Sequence, residues 1–278
     1  MTSETSVHTD RPIGIFDSGI GGLTVLRQIQ TILPNEDLIY FADQIHVPYG
    51  PRSVEVVRDF SLAISQFLID NGAKIIVIAC NTASAAALEH LREAIPEIAF
   101  VGMEPAIKPG VVESQSGRVG VLATVGTFDS RRYASLMTRF AKEAIIFEDA
   151  CPGLVEQIEK GDLDSLETHE ILIRALTPML RKDVDTLVLG CTHYPFVRPL
   201  VEEIAGPGVM IIDPSPAVAR QTLRILKVQE LLSSRKHPGQ VTAYTTADPS
   251  EFDSLIKKLL DLPISVKEAY WSSGELRS

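Results

Sequence analysis

Short apolar runs alternate with helical patterns along almost the whole chain, and this alternation constrains the fold more than any other feature. The runs are rich in Val and Ile and lack a two-residue alternation, as in Lys74–Ala79. Such runs are typical of parallel strands that are covered on both faces. Right-handed crossover helices are the expected connections between them. The sequence therefore predicts an α/β fold with parallel sheets.

The predicted strands are Ile13–Phe16, Asp37–Phe41, Lys74–Ala79, Ile98–Gly102, Arg118–Leu122, Ala144–Phe147, Thr186–Leu189, Val209–Ile212, Val241–Thr245 and Ile264–Ala269. The predicted helices are Leu23–Leu33, Ser53–Asn71, Ser84–Ala94, Ser130–Ala141, Leu154–Glu159, Glu167–Arg181, Phe196–Ile204 and Val218–Leu232.

Two passages of the first half return in the second half at nearly the same offset. Gly14–Asp17 resembles Gly120–Ala123, and Ile75–Ser84 resembles Thr186–Pro195. This repetition predicts two similar α/β domains related by a pseudo-twofold, with the active site in the cleft between them. The predicted first domain is residues 1–103 plus 217–278, where the C-terminal tail returns, and the predicted second domain is residues 104–216.

Composition excludes several classes of partner. The chain has 26 Lys+Arg against 36 Asp+Glu, a net charge of −10, and 6% aromatic residues. An acidic chain without a basic cluster or a stacking platform is a poor nucleic-acid binder. Its longest apolar stretch is far shorter than the roughly 20 residues of a membrane span. A polar N-terminus and three cysteines, an odd number, predict a cytoplasmic protein with reduced thiols.

Two cysteines follow corresponding strands of the two halves. Cys80 and Cys191 each come just past an apolar strand, where parallel sheets bind ligands. Each is expected to lie at a helix N-terminus, with Asn81 and Thr82 capping a helix that begins near Ser84. Such a terminus favours a thiolate or a bound carboxylate. The alternative is that both are buried core cysteines. Cys151 and Pro152 start another helix, and Cys151 is interpreted as structural because it has no matching partner.

A glycine-rich turn follows the first strand. Asp17 and Ser18 precede Gly19, Gly21 and Gly22, whose flexible backbone permits a tight turn with amides exposed to an anion. The dinucleotide fingerprint fails because Thr24 occupies the third glycine position. An ordinary helix cap with packing glycines is an equally good interpretation.

Other polar residues lie at the same predicted sheet edges. His193 follows Cys191 by two residues and could be a base, a cap or a surface residue. Tyr49 and Gly50 form a Pro-bounded loop after the second strand, which could be only a turn. The hydroxyls of Thr124 and Thr127 suit an amino or carboxylate group, or cap the next helix. The scattered histidines and the absence of C-x-x-C argue against a structural zinc.

Six motifs then stand in the order of a known family. They are "FDSGIGGLTVL", "DQIHVPYG", "ACNTAS", "VGVLATVGT", "ACPGLVEQIEKG" and "LGCTHYP". Together they resemble the cofactor-independent glutamate racemases of the aspartate/glutamate racemase superfamily, from about Pro12 to Arg220. One departure is His46, where family members commonly carry arginine.

The resemblance implies a site residue by residue. Cys80 would take the α-proton from D-glutamate and Cys191 from L-glutamate, without pyridoxal phosphate or a metal. Asp17 would assist Cys80, and His193 would assist Cys191, with Glu159 nearby and Glu156 as the competing choice. The implied substrate-binding residues are Asp17, Ser18, Tyr49, Gly50, Asn81, Thr82, Thr124, Thr127, Thr192 and His193.

The leading hypothesis is therefore a glutamate racemase that supplies D-glutamate for peptidoglycan. An aspartate or hydantoin relative is the alternative within enzymes, because a cleft with two cysteines can serve other α-carbon acids. A non-catalytic amino-acid-binding module is the alternative outside them. The sequence leaves the oligomeric state open, a homodimer included.

Overall fold

The chain folds into two compact units. The protein is seen in a computed structural model that describes residues 9–260 and 262–278. One unit contains the chain up to Met103 together with Ser215–Ser278, and the other is Glu104–Pro214. The short polar tail before Pro12 is predicted to be unstructured, but in its described part Arg11 donates from Nε to the carbonyl of Gly72 at 2.8 Å. Residues 1–8 of the tail lie outside the described residues.

The strands, in chain order, are β1 (Ile13–Asp17), β2 (Leu38–Ala42), β3 (Ile75–Ile78), β4 (Ala99–Gly102), β5 (Arg118–Leu122), β6 (Ile145–Asp149), β7 (Thr186–Leu189), β8 (Met210–Ile212), β9 (Val241–Thr245), β10 (Ser265–Glu268), β11 (Tyr270–Ser272) and β12 (Glu275–Arg277). The α-helices are α1 (Leu23–Ile32), α2 (Val54–Asp70), α3 (Asn81–Ala94), α4 (Ile107–Glu113), α5 (Val125–Phe128), α6 (Arg131–Phe140), α7 (Leu154–Glu159), α8 (Leu166–Leu180), α9 (Arg198–Ala205), α10 (Ser215–Val228) and α11 (Pro249–Leu259). Short 3₁₀ turns cover Gln44–His46 and Tyr194–Val197.

The first unit is built on a parallel sheet with the strand order β10-β9-β2-β1-β3-β4. Its central strands β1, β2 and β3 are buried along their whole length, which explains their continuous apolar sequences. The C-terminal tail completes this sheet, because β9 pairs in parallel with β2 and places Val241 opposite Leu38. The last two strands, β11 and β12, form a separate antiparallel hairpin.

The second unit has a parallel sheet with the order β6-β5-β7-β8. This is the order of β2-β1-β3-β4 in the first unit, so the repetition of sequence is also a repetition of topology. The predicted α/β class with two similar parallel sheets is confirmed. In the part of the chain that the structure describes, no helix is long and apolar enough to cross a membrane.

Some elements were missed from the sequence. Helix α4 contains Pro109 and Gly110, residues that usually interrupt helices. Helix α11 begins with Pro249 at its first turn, after Asp248 has capped the amides of two following residues. The hairpin of β11 and β12 turns at Ser273–Gly274, where both residues have positive φ. The sequence signals of these three elements are prolines, glycines and a capping aspartate. A search for apolar patterns alone does not detect such signals.

The glycine turn after β1 is packed too tightly for a side chain. A Cβ added at Gly22 would lie 2.7 Å from the Cβ of Asp17 and 2.9 Å from that of Ala79. It would also lie 2.9 Å from the hydroxyl of Tyr40. We expect Gly22→Ala to lower the free energy of unfolding by about 1–3 kcal/mol, measured by urea denaturation. Gly208→Ala is the control, since nothing lies within 4 Å of that position, and equal stability of the two variants would contradict the prediction.

Candidate functional site

Three polar side chains follow neighbouring strands of the first sheet. Asp17 is the last residue of β1, Asp43 follows β2, and Cys80 comes two residues after β3. The backbone amide of Asp43 donates to the carbonyl of Asp17 at 3.2 Å, and the amide of Ala79 donates to Phe16 at 2.8 Å. The parallel register therefore brings the three residues to one edge of the sheet.

Cys80 itself caps helix α3. The amide of Ala83 donates to its Sγ at 3.4 Å, and the hydroxyl of Ser18 lies 4.0 Å from that sulfur. The prediction that Asn81 and Thr82 cap a helix starting near Ser84 is wrong, because the helix already begins at Asn81. The sulfur occupies the position where serine or aspartate oxygens usually accept these amides. A helix N-terminus stabilises negative charge there.

Asp17 fixes the turn that follows it. Its Oδ1 accepts the amide of Gly19 at 2.9 Å, and the Tyr40 hydroxyl donates to the carbonyl of Gly19 at 2.6 Å. The carboxylate is fully buried, and Ser18 is almost so. The turn is thus a rigid support that holds Asp17 and Ser18 beside the first cysteine.

The Tyr49 loop lies in the same neighbourhood. The hydroxyl of Tyr49 donates to Oδ2 of Asp43 at 2.7 Å. Burial, then the charge and hydrogen bond of Asp43, and then the charges of Cys80 and Asp17 raise the pKa of Tyr49 well above 10.0. The phenol stays protonated, and its proton is used in the hydrogen bond to Asp43. Asp43 was missed from the sequence, although it follows a strand just as Asp17 ends one.

Asn81 is a buried amide with unused hydrogen-bonding capacity. Its side chain lies in the first turn of α3 and is 3% exposed. Within residues 9–260 and 262–278, neither its Oδ1 nor its Nδ2 has a hydrogen-bond partner. Buried polar atoms are rarely left in this state, and an exception calls for an explanation. Thr82, the next residue, is also buried.

In the second unit, Cys191 belongs to a chain of three polar side chains. Its Sγ lies 3.7 Å from Nδ1 of His193, and Nε2 of His193 lies 2.5 Å from Oε1 of Glu159. Acceptors beside both ring nitrogens favour the doubly protonated ring, the imidazolium. Burial lowers the pKa of His193, but the hydrogen bonds to Cys191 and Glu159 outweigh it and raise that pKa well above 6.5. The arrangement places a positive charge beside the second sulfur.

Helix α7 supplies the carboxylate of this chain. Glu159 is its last residue and contacts His193, whereas Glu156, one turn earlier, lies in the electrostatic surroundings of Tyr194. The expectation that Cys191 opens a helix is wrong, because a 3₁₀ turn covers Tyr194–Val197 and an α-helix follows only at Arg198. The second sulfur therefore depends on His193 rather than on a helix N-terminus.

The other predicted residues of the second unit lie near strand ends. Thr124 directly precedes helix α5, and its hydroxyl is 3.1 Å from that of Thr127. Thr192 is buried beside Cys191. Ser130, and not either threonine, caps α6 by accepting the amide of Tyr133.

Cys151 differs from the two strand-end cysteines. It has a left-handed backbone with φ 44°, and its amide donates to Oδ1 of Asp149 at 2.7 Å. Burial and then the Asp149 carboxylate raise the pKa of the Cys151 thiol well above its ordinary value. Its thiol stays protonated. Across the described ranges, no group of three or more His, Cys, Asp or Glu residues could hold a metal ion.

The chain is similar to one family of known proteins over most of its length. Residues 13–222 match the model of the Asp/Glu/Hydantoin racemase family. A glutamate racemase from Pseudomonas paraeruginosa is 50% identical over 248 residues, covering 88% of this chain and 92% of that protein.

Two solved structures are similar over nearly the whole chain. A glutamate racemase isoform from Bacillus anthracis is 34% identical, with TM-score 0.86, covering 96% of this chain and 100% of that one. One from Francisella tularensis, solved in complex with D-glutamate, is 33% identical, with TM-score 0.81, covering 95% and 98% of the two chains. Sequence, topology and strand-end cysteines lead to one conclusion. The chain belongs to the Asp/Glu/Hydantoin racemase family and, like its glutamate racemase relatives, is an amino-acid racemase.

Proposed function

We propose that the protein interconverts L- and D-glutamate by two-base proton transfer between Cys80 and Cys191. No cofactor takes part in this scheme. The product D-glutamate would serve peptidoglycan synthesis in the cytoplasm. The names of the relatives support the substrate, and the polar surroundings of the two sulfurs support the mechanism.

The observation that carries the proposal is the environment of each sulfur. Cys80 accepts the amide of Ala83 at a helix N-terminus, and Cys191 lies beside the imidazolium of His193. Both sulfurs thus lie at strand ends with a hydrogen-bonding partner, where parallel sheets bind ligands. Cys151, in contrast, lies beside the Asp149 carboxylate, and burial together with that carboxylate raises the pKa of its thiol.

The chemistry needs a base on one face of Cα and an acid on the other. From L-glutamate, Sγ of Cys191 takes the α-proton, and the thiol of Cys80 gives a proton to the opposite face. From D-glutamate the two exchange roles. Afterwards the protonated and ionised sulfurs are reversed, so a proton exchange with solvent resets the enzyme. The scheme requires that both sulfurs reach the same α-carbon.

General acid–base catalysis is worth about 10²–10⁴-fold and is insufficient alone for so weak a carbon acid. Hydrogen-bond donors around the substrate carboxylate have to stabilise the carbanion as its charge develops. In the first unit these would be Ser18, Asn81, Thr82 and the backbone of Gly50. The Tyr49 proton is engaged with Asp43, so its loop would contribute through the backbone. In the second unit Thr124, Thr127 and Thr192 would bind the substrate.

Asn81 gives a prediction that separates binding from folding. Because its side-chain amide has no hydrogen-bond partner among the described residues, Asn81→Ala removes no internal hydrogen bond. We expect a KM for glutamate about tenfold higher, equivalent to about 1.4 kcal/mol. The thermal unfolding midpoint should not fall. A lower midpoint with an unchanged KM would show that the amide is structural.

A chiral assay tests the function directly. The purified protein is incubated with L-glutamate and, separately, with L-aspartate, and the enantiomers are separated by chromatography. D-glutamate without D-aspartate supports the proposal. D-aspartate alone would assign the chain to an aspartate racemase. Saturable binding of glutamate in calorimetry, without turnover of either substrate, would indicate a binding module.

A further inference from the structure

The buried carboxylate of Asp43 connects four segments of the first unit. Its Oδ2 accepts the Tyr49 hydroxyl at 2.7 Å and faces Nδ1 of His46 at 2.9 Å. Its Oδ1 accepts the indole N–H of Trp271 at 2.8 Å and the hydroxyl of Thr246 at 3.2 Å. Each of the two oxygens thus has two hydrogen-bonding partners. A fully buried carboxylate needs such partners, because they offset the cost of removing its charge from water.

Half of these partners come from the C-terminal tail. Thr246 directly follows β9 and also accepts the amide of Ile45, whereas Trp271 lies in the hairpin strand β11. The indole ring of Trp271 lies 5.4 Å from the ring of Phe60 on α2 and 5.3 Å from that of His46, centroid to centroid. The hairpin is therefore docked on the first unit by an aromatic cluster and by one hydrogen bond to Asp43.

The other carboxylate oxygen, Oδ2, binds Tyr49, which lies close to the proposed site. Tyr49 is 1% exposed, and the charges of Cys80 and Asp17 act on its hydroxyl. The loop is also held by Arg52, whose Nε donates to the carbonyl of His46 at 2.7 Å. A rotation of the Asp43 carboxylate would move the Tyr49 hydroxyl, and with it the backbone that follows.

We propose that Trp271 of the C-terminal hairpin is a positioning residue for the Tyr49–Gly50 loop and acts through the carboxylate of Asp43. Without the indole N–H, Oδ1 keeps only Thr246, and the carboxylate loses the donor that fixes its plane. The loop is then free to leave the orientation in which Gly50 meets the substrate. The inference rests on the proposed function, because it assigns this loop to glutamate binding.

The test compares Trp271→Phe with Tyr270→Phe. Phenylalanine keeps a ring against Phe60 but has no N–H, and Tyr270 is a half-exposed neighbour on the same strand. We expect Trp271→Phe to raise the KM for glutamate roughly tenfold with kcat within about twofold of the wild type. Tyr270→Phe should change neither constant. An unchanged KM in Trp271→Phe, or a fall in kcat that equals the loss of folded protein, overturns the inference.

A second measurement does not depend on the variant folding. Trp271 is the only tryptophan of the chain, so its fluorescence reports this hydrogen-bond network. Titration of the wild type with glutamate should change the emission with a midpoint near KM. Active enzyme whose emission does not respond would refute the coupling while leaving the racemase function intact. A wild type that does not racemise glutamate would instead refute the proposed function.

Discussion

Serine in place of Cys80 or of Cys191 is expected to lower kcat by about 10²–10⁴-fold in both directions. Each turnover uses one sulfur as the base and the other as the acid, so neither direction escapes the loss. A serine hydroxyl is far less acidic than a thiol and is a poor substitute in either role. Chiral chromatography of product formed from each enantiomer measures the effect.

Cys151→Ser is the matched control, because it is the same substitution at a buried cysteine to which the mechanism assigns no proton transfer. It should keep turnover near the wild-type rate.

The variants Cys80→Ser and Cys191→Ser should also differ in the partial reactions that they catalyse in D₂O. Cys80→Ser should exchange only the α-hydrogen of L-glutamate, and Cys191→Ser only that of D-glutamate. Wild-type turnover in either site variant would contradict the mechanism.

Asp17 and His193, the residues proposed to assist the two sulfurs, should affect different proton-transfer steps. We expect His193→Asn and Asp17→Asn each to lower kcat/KM by about 10–100-fold, since a hydrogen bond to a charged group is worth about 1.5–3 kcal/mol. The enantiomers have equal free energies, so kcat/KM must fall equally in both directions. A difference between the two directions can therefore appear only in the isotope effects.

In His193→Asn, proton removal by Cys191 should become rate-limiting. α-Deuterated L-glutamate should then show a large isotope effect on kcat/KM, and α-deuterated D-glutamate a small one. Asp17→Asn should show the reverse, because there Cys80 becomes the slow base. The same pattern in both variants would show that the two residues do not serve separate sulfurs.

Much of the architecture is encoded in local sequence. The continuous apolar runs predicted the parallel strands, because strands buried on both faces have no polar alternation to obscure them. The repeated "Cys after strand" pattern placed both cysteines at sheet edges. Local patterns failed where the partner is distant or unusual. The Trp271 indole that binds Asp43 is 228 residues away.

The helix start at Asn81 was missed for a different reason. Helix caps are sought among serine, threonine, aspartate and asparagine, and here a sulfur accepts the amide of Ala83. The pairing of Glu159 with His193 also could not be derived from spacing alone, since Glu156 lies one turn away on the same short helix. Roles taken from the resemblance, including the assignment of each sulfur to one enantiomer, stay predictions.

Solvent labelling during racemisation tests the central claim most directly. The enzyme is incubated with L-glutamate in D₂O and stopped early, and deuterium at Cα is measured in product and in recovered substrate by mass spectrometry. The account predicts deuterium in nearly all D-glutamate and in little of the remaining L-glutamate, because the proton is removed by one sulfur and replaced by the other. The experiment is then repeated from D-glutamate. Product that retains the substrate's own hydrogen, as a single base would give, would contradict it.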